Sequence, residues 1–131
     1  MQSGITQRMM CMASSSKNDV VLVRYPFTNW SGVKVRPAVV VSAPHVSHDI
    51  FIVPLTSRTD SLLAGEFLLA DWTNAGLNVP TAVKRGLYTV RQDLIAKSVG
   101  RLGSGDADRL QHSLREWLGL SWPRPGTGGD P

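Results

Sequence analysis

The chain carries one cysteine, Cys11. A single thiol closes no intrachain disulfide, which excludes a disulfide-stapled scaffold and a cysteine-rich zinc site and suits a reducing cytosol. Long apolar runs are missing too: no stretch approaches the roughly 18 residues of a membrane span, and the N-terminus lacks the continuous apolar core of a signal peptide. The expected location is cytoplasmic, with no membrane partner. Charge is sparse at 18% of residues while hydrophobic residues make up 42%, so the chain lacks the polar bias of a disordered protein and can fill a core. No internal repeat is visible.

What remains is one domain's worth of sequence, 131 residues, since domains cluster at roughly 100–150. Residues 1–17, with Met9, Met10, Met12 and the Ser14-Ser15-Ser16 run, show no helical or strand period and are expected to form a disordered leader. The Pro- and Gly-rich stretch 121–131 is expected to be a flexible tail. The net charge is +4, but leaving out Arg8, Lys17, Arg124 and Asp130 reduces residues 18–120 to +2. That mild excess fits a local positive groove for nucleic acid and favours it only slightly over a neutral binding module.

The body reads as mainly β with a C-terminal helix. Val20–Tyr25, Ala38–Val41 and Ile50–Val53 are rich in β-branched and aromatic residues and bounded by turn formers, which predicts three strands. Two of these runs lack alternation and are expected to pass through the middle of a barrel. Weaker strands are expected at Glu66–Ala70, Thr81–Lys84, Leu87–Val90 and Ser98–Leu102. Their short spacings suit a small antiparallel barrel rather than βαβ units. Asp71–Gly76 reads as a short helical turn closed by its glycine. Ala107, Leu110, Leu114, Trp117 and Leu118 then repeat at helical spacing, with Ser104 as the expected cap, Asp106 and Asp108 at the positive N-terminus and Gly119 as the stop.

Two segments carry the chemistry. In Val35-Arg36-Pro37-Ala38, the proline pushes the preceding residue into an extended conformation, so Arg36 is held on a stiff element. In Val53-Pro54-Leu55-Thr56-Ser57-Arg58, a strand ends in two hydroxyls and a base. Antiparallel pairing of the two strands would set that end beside Arg36, and guanidinium and hydroxyl could then share one phosphate. Read singly, an arginine at a strand entrance is most often a surface ion-pair partner and Thr-Ser after a strand is a turn cap.

Taken in order, Asn18-Asp19-Val20-Val21, Arg36-Pro37-Ala38, Pro54-Leu55-Thr56-Ser57 and Val99-Gly100-Arg101-Leu102 resemble the MazF/PemK endoribonuclease toxins over about residues 18–120. The resemblance implies an SH3-like barrel of the CcdB/MazF type, working as a homodimer that cuts single-stranded RNA at short sequences. It also implies a cognate antitoxin, DNA binding through the toxin–antitoxin complex, and attack by the ribose 2′-hydroxyl with no metal or other cofactor. Arg36 and Thr56 inherit the catalytic roles, phosphorane stabilisation for the first and orientation or donation for the second. Ser57, Arg58, Lys34, Lys84, Arg85 and Trp30 are the expected RNA contacts, with Trp30 either stacking on a base or folding back as a lid on the core. One departure stands out: many relatives have an aspartate near the stretch that here reads Val83-Lys84-Arg85-Gly86, which leaves the general base unassigned.

His45 and His48 look like a metal pair but have no evident third ligand, so a solvated loop is expected. His112 is expected at the solvent or barrel edge, and Trp117 in the core. Two other readings stay open: a non-enzymatic gyrase-poisoning toxin on the same barrel, like the CcdB relatives, and an inactive RNA-binding barrel.

Overall fold

The Val-rich run after Asp19 pairs with the run that contains Arg36, and that pair organises the molecule. A computed structural model describes residues 15–25, 34–43 and 45–120, with Tyr25 described in its backbone only. Trp30, the first 14 residues and the stretch 121–131 lie outside the described residues. The strands are β1 (Asp19–Tyr25), β2 (Lys34–Val40), β3 (Asp49–Thr56), β4 (Phe67–Leu68), β5 (Ala82–Val83), β6 (Tyr88–Arg91) and β7 (Ile95–Arg101). A 3-10 turn, Gln92–Leu94, joins β6 to β7, and one helix, α1 (Ser104–Leu118), follows.

All described pairings are antiparallel. β1 meets β2 from Val20↔Val39 to Tyr25↔Lys34, and β2 meets β3 from Ala38↔Pro54 to Val40↔Ile52. The row Val20, Val39, Val53 therefore points to one face and packs with Leu55, Leu69, Val83, Leu102 and Leu110, while Val21, Val23, Ala38, Val40, Ile50 and Ile52 point to the other. Both faces of the central strands are buried, which is why their sequences do not alternate. α1 and the β4–β5 region cover the first face; Val90, Leu94 and Ile95 close the second.

β6 pairs with β3 and β7 pairs with β1, so the ladder runs β6-β3-β2-β1-β7 and sets these two strands at opposite ends. Laid flat, the ends would stand about 19 Å apart, four spacings of ~4.8 Å. The three-residue turn that joins them spans only about 6 Å. The sheet must curl until its ends meet. Among the described residues β6 and β7 do not pair, so the curl is held by a short covalent link and by the core inside it, not by a sealed ring of hydrogen bonds. The mainly β fold with a C-terminal helix is as the sequence predicts.

Several bounds differ from the sequence reading. β2 begins at Lys34, four residues before Ala38, because β1 offers a full-length partner and a proline in extended backbone does not interrupt it. β3 runs through Pro54 to Thr56. Its outer edge takes β6 along the first half and β5 along the second, and residues 84–87 step between the two partners. Lys84 N–H donates to the Pro54 carbonyl at 2.9 Å, and Gly86 lies against the Pro54 ring, where a Cβ would come within 3.3 Å of it. Glu66–Ala70 and Thr81–Lys84 shrink to two-residue strands. Asp71–Gly76 is a series of turns rather than a helix, closed by Gly76 at φ +90°.

The helix spans the expected residues and stops at Gly119 in the left-handed region. Its start departs from expectation: Gly103 is the cap residue, Ser104 is already helical, and no side chain caps the end. Asp106 is buried and accepts the N–H groups of Ala70 and Asp71, each at 3.0 Å. Its carboxylate thus fastens the helix to the β4 side instead of serving the helix's own end. Leu118, at 51% exposure, falls outside the packed stripe, because the helix ends there and nothing described lies opposite.

Candidate functional site

Carrying the Ala38↔Pro54 register two residues further along both strands brings Arg36 opposite Thr56. Both residues have the parity of Ala38 and Ile52, so they extend the second core row to its rim. There a cleft of about 460 Å³ opens, lined by Arg36 and Thr56 together with Arg24, Arg58, Lys84 and Tyr88, over a floor of Ile52, Pro54 and Leu55. The floor is made of β3 itself, which is paired along both of its edges.

Four cationic side chains meet in this cleft, and its lining contains no acid. Among the described residues none of the four takes part in an ion pair. Elsewhere three arginines are paired: Arg91 with Asp93, Arg101 with Asp19 and Arg109 with Asp106. Unpaired cations crowded over an apolar floor repel one another and attract an anion; guanidinium forks suit phosphate oxygens in particular. The Thr56 hydroxyl oxygen accepts the Arg58 N–H at 3.0 Å, which tightens the turn after β3. With its oxygen so engaged, the hydroxyl keeps its own proton for donation.

The remaining expected contacts divide. Arg58 and Lys84 line the cleft; Ser57, Lys34 and Arg85 are exposed but do not. Lys34 opens β2 opposite Tyr25. The Arg85 N–H donates to Glu66 Oε2 at 2.8 Å, and the Leu63 N–H donates to Glu66 Oε1 at 2.7 Å. Burial pushes the Glu66 carboxyl upward, but these two backbone donors, with Lys84 and Arg85 nearby, more than offset it and hold the group below its ordinary 4.5.

Arg24 and Tyr88 were not among the expected site residues. Arg24 breaks an otherwise apolar run in β1, and Tyr88 is an aromatic, 54% exposed, on the strand that pairs with Ile52. Arg24 alone left a trace in the sequence, as the charged break in a β-branched run. His45 and His48 are exposed, and His45 Nδ1 lies 2.9 Å from the Ser47 hydroxyl within its own loop. His112 is exposed, while Trp117 packs against the core and donates from Nε1 to the Ala64 carbonyl. A larger hollow of about 1200 Å³, between the 15–19 segment and the β6–β7 connection, mixes Asp19, Asp49 and Asp93 with Arg91 and Lys97, so it offers no field of one sign. Among the described residues no helix is long and apolar enough to cross a membrane.

Residues 16–118 match the model of a family described as PemK-like, MazF-like toxin of type II toxin-antitoxin system. No curated protein matches the chain. Among solved structures, an endoribonuclease in complex with its cognate antitoxin, from a mycobacterial species, is similar with a TM-score of 0.67 at 17% identity, over 84% of this chain and 100% of that one. The Mycobacterium tuberculosis toxin MazF-mt6 is similar with a TM-score of 0.63 at 20% identity, over 79% and 99%. A MazE-MazF structure from Deinococcus radiodurans gives 0.65 at 18% identity, over 82% and 97%. At these identities the likeness shows the fold.

Proposed function

Because the chain belongs to the PemK-like, MazF-like toxins of type II toxin-antitoxin systems, we propose that it is an endoribonuclease that cuts single-stranded RNA at the cleft between β2, β3 and β6. The observation that carries this reading is the convergence of Arg36, Thr56 and three further cations on one acid-free cleft.

The reaction uses a nucleophile that RNA brings with it. The 2′-oxygen bonds to the adjacent phosphorus and gives up its proton, the bond from phosphorus to the 5′-oxygen breaks, and that oxygen takes a proton. The products are a 2′,3′-cyclic phosphate and a 5′-hydroxyl. Because neither a water nor a metal-bound hydroxide has to attack, the protein's tasks are to align the ribose, neutralise the phosphorane and supply donors. Arg36 is permanently charged and forked, which suits it to the two non-bridging oxygens. Thr56 donates its remaining proton to the same phosphate. Arg24, Arg58 and Lys84 hold the neighbouring backbone, which is a sequence-independent grip.

The same cleft suits an acidic peptide. An antitoxin segment carrying carboxylates would compete with RNA for these cations and fold as it binds. Support for such a partner comes from the family and from the antitoxin present in two of the similar structures. The working unit in this reading is a homodimer.

Primer extension on a long single-stranded RNA, in excess EDTA, tests the reading with wild type and Arg36→Ala. Wild type should produce discrete stops and the variant none, while the variant remains folded and no longer arrests growth. Full toxicity of Arg36→Ala without cleavage would point instead to a protein target.

A further inference from the structure

Glu66 stands outside the cleft, yet it is tied to it. Its carboxylate takes the Leu63 N–H on one oxygen at 2.7 Å and the Arg85 N–H on the other at 2.8 Å. The first bond closes the 63–66 turn. The second crosses to the segment that carries Lys84 into the cleft. That segment lies between the β5 and β6 pairings, where the ladder itself gives only the bond from Lys84 N–H to the Pro54 carbonyl.

The turn that presents Glu66 is fixed from its far side by α1. The Ser113 hydroxyl donates to the Gly65 carbonyl at 2.7 Å, and Trp117 Nε1 donates to the Ala64 carbonyl at 3.1 Å. Gly65 has φ +86° and lies under the Trp117 indole with no space for a Cβ. The mount is fixed from that side; toward the cleft it is joined by the Phe67↔Val83 pairing and, beyond the end of that ladder, by the Glu66 carboxylate.

We propose that Glu66 is a positioning residue for RNA, setting through the Arg85 N–H where Lys84 stands in the cleft and so how the RNA backbone is gripped. The inference rests on the endoribonuclease reading. A carboxylate fits the task because both its oxygens accept; a glutamine at 66 would keep one acceptor and turn an NH₂ toward an N–H donor. The contribution belongs to binding rather than to bond breaking, since Lys84 holds backbone while Arg36 and Thr56 meet the scissile phosphate.

The test is a double-mutant cycle of Glu66→Gln and Lys84→Ala, read as steady-state cleavage of a single-stranded RNA. Glu66→Gln should raise KM roughly three- to tenfold, toward the lower end of the effects seen for coupled neighbours, and leave kcat within about twofold, as lost uniform binding does. The double variant should then be no worse than Lys84→Ala alone. Glu66→Asp, which keeps the charge but shortens the reach, should give the same pattern if Glu66→Gln does not fold. A fall in kcat at unchanged KM, or single losses that multiply in the double variant while circular dichroism shows all proteins folded, overturns the inference. Wild type that cuts no RNA removes the nuclease reading and the inference with it, whereas wild type that cuts, with independent losses, removes the inference alone.

Discussion

The Thr56 hydroxyl oxygen accepts the backbone N–H of Arg58 at 3.0 Å, so one side chain both closes the turn after β3 and faces the cleft that Arg58 also lines. Thr56→Ser keeps the oxygen, the turn and the donor. Thr56→Val keeps the shape and loses both. The valine variant should therefore lose about 10²-fold in single-turnover cleavage, the usual effect of deleting a transition-state donor, while the serine variant stays much closer to wild type. Equal losses in both would remove the donor role.

The four cations of the cleft set the salt dependence of binding. If all four neutralise phosphates of single-stranded RNA, the slope of log K against log salt should be about −2.8, from roughly −0.7 per contact. Arg58→Ala should bring it to about −2.1. Fluorescence anisotropy with a 2′-deoxy oligonucleotide gives both slopes without cleavage, and a flat salt response would place the nucleic acid elsewhere.

Glu66 makes a pH-dependent contribution whose sign follows from its depressed carboxyl. The folded value lies below the ordinary 4.5, so the contribution is fully present above that pH and is lost as pH falls through the folded value. Lys84 and Arg85 are the charged groups that face it. Thermal unfolding followed from pH 6 downward should show Glu66→Gln less stable than wild type, with the gap closing as the pH falls below the ordinary 4.5 and through the folded value. A gap of constant size would mean that the carboxylate charge is not involved.

Gly76 and Gly100 are pressed back to back. A Cβ on Gly76 would enter the Val99 carbonyl, and one on Gly100 would enter that of Ala75. Gly76 also sits at φ +90°, where a side chain is strained in any case. Either alanine variant should lose about 1–3 kcal/mol in urea denaturation, and Gly76→Ala the more of the two. Gly105, with open space around its Cβ position, is the control: Gly105→Ala should be neutral or stabilising.

The strands around Val20, Val39 and Ile52 could be read from sequence because burial on both faces leaves a mark that turn positions do not blur. The helix was legible for the same reason: its apolar repeat and its stop at Gly119 are local properties. The start of the helix was not, since Asp106 is a fine helix-terminal acid by composition and only the packing of α1 turns it toward Ala70 and Asp71. The Arg36 and Thr56 segments could be paired in advance, because two antiparallel neighbours joined by a short connection have few registers open to them.

Chain order alone thus determined a curled β unit with a terminal helix and two segments whose ends belong together, all consequences of period, propensity and short connections. Which cations are left unpaired, how Arg24 and Tyr88 reach the same cleft, and why an acid at 66 governs a lysine at 84 were decided by tertiary structure. Charges and donors act over a few ångströms, and distances of that size between residues far apart in the chain exist only once the sheet has curled and the helix has docked.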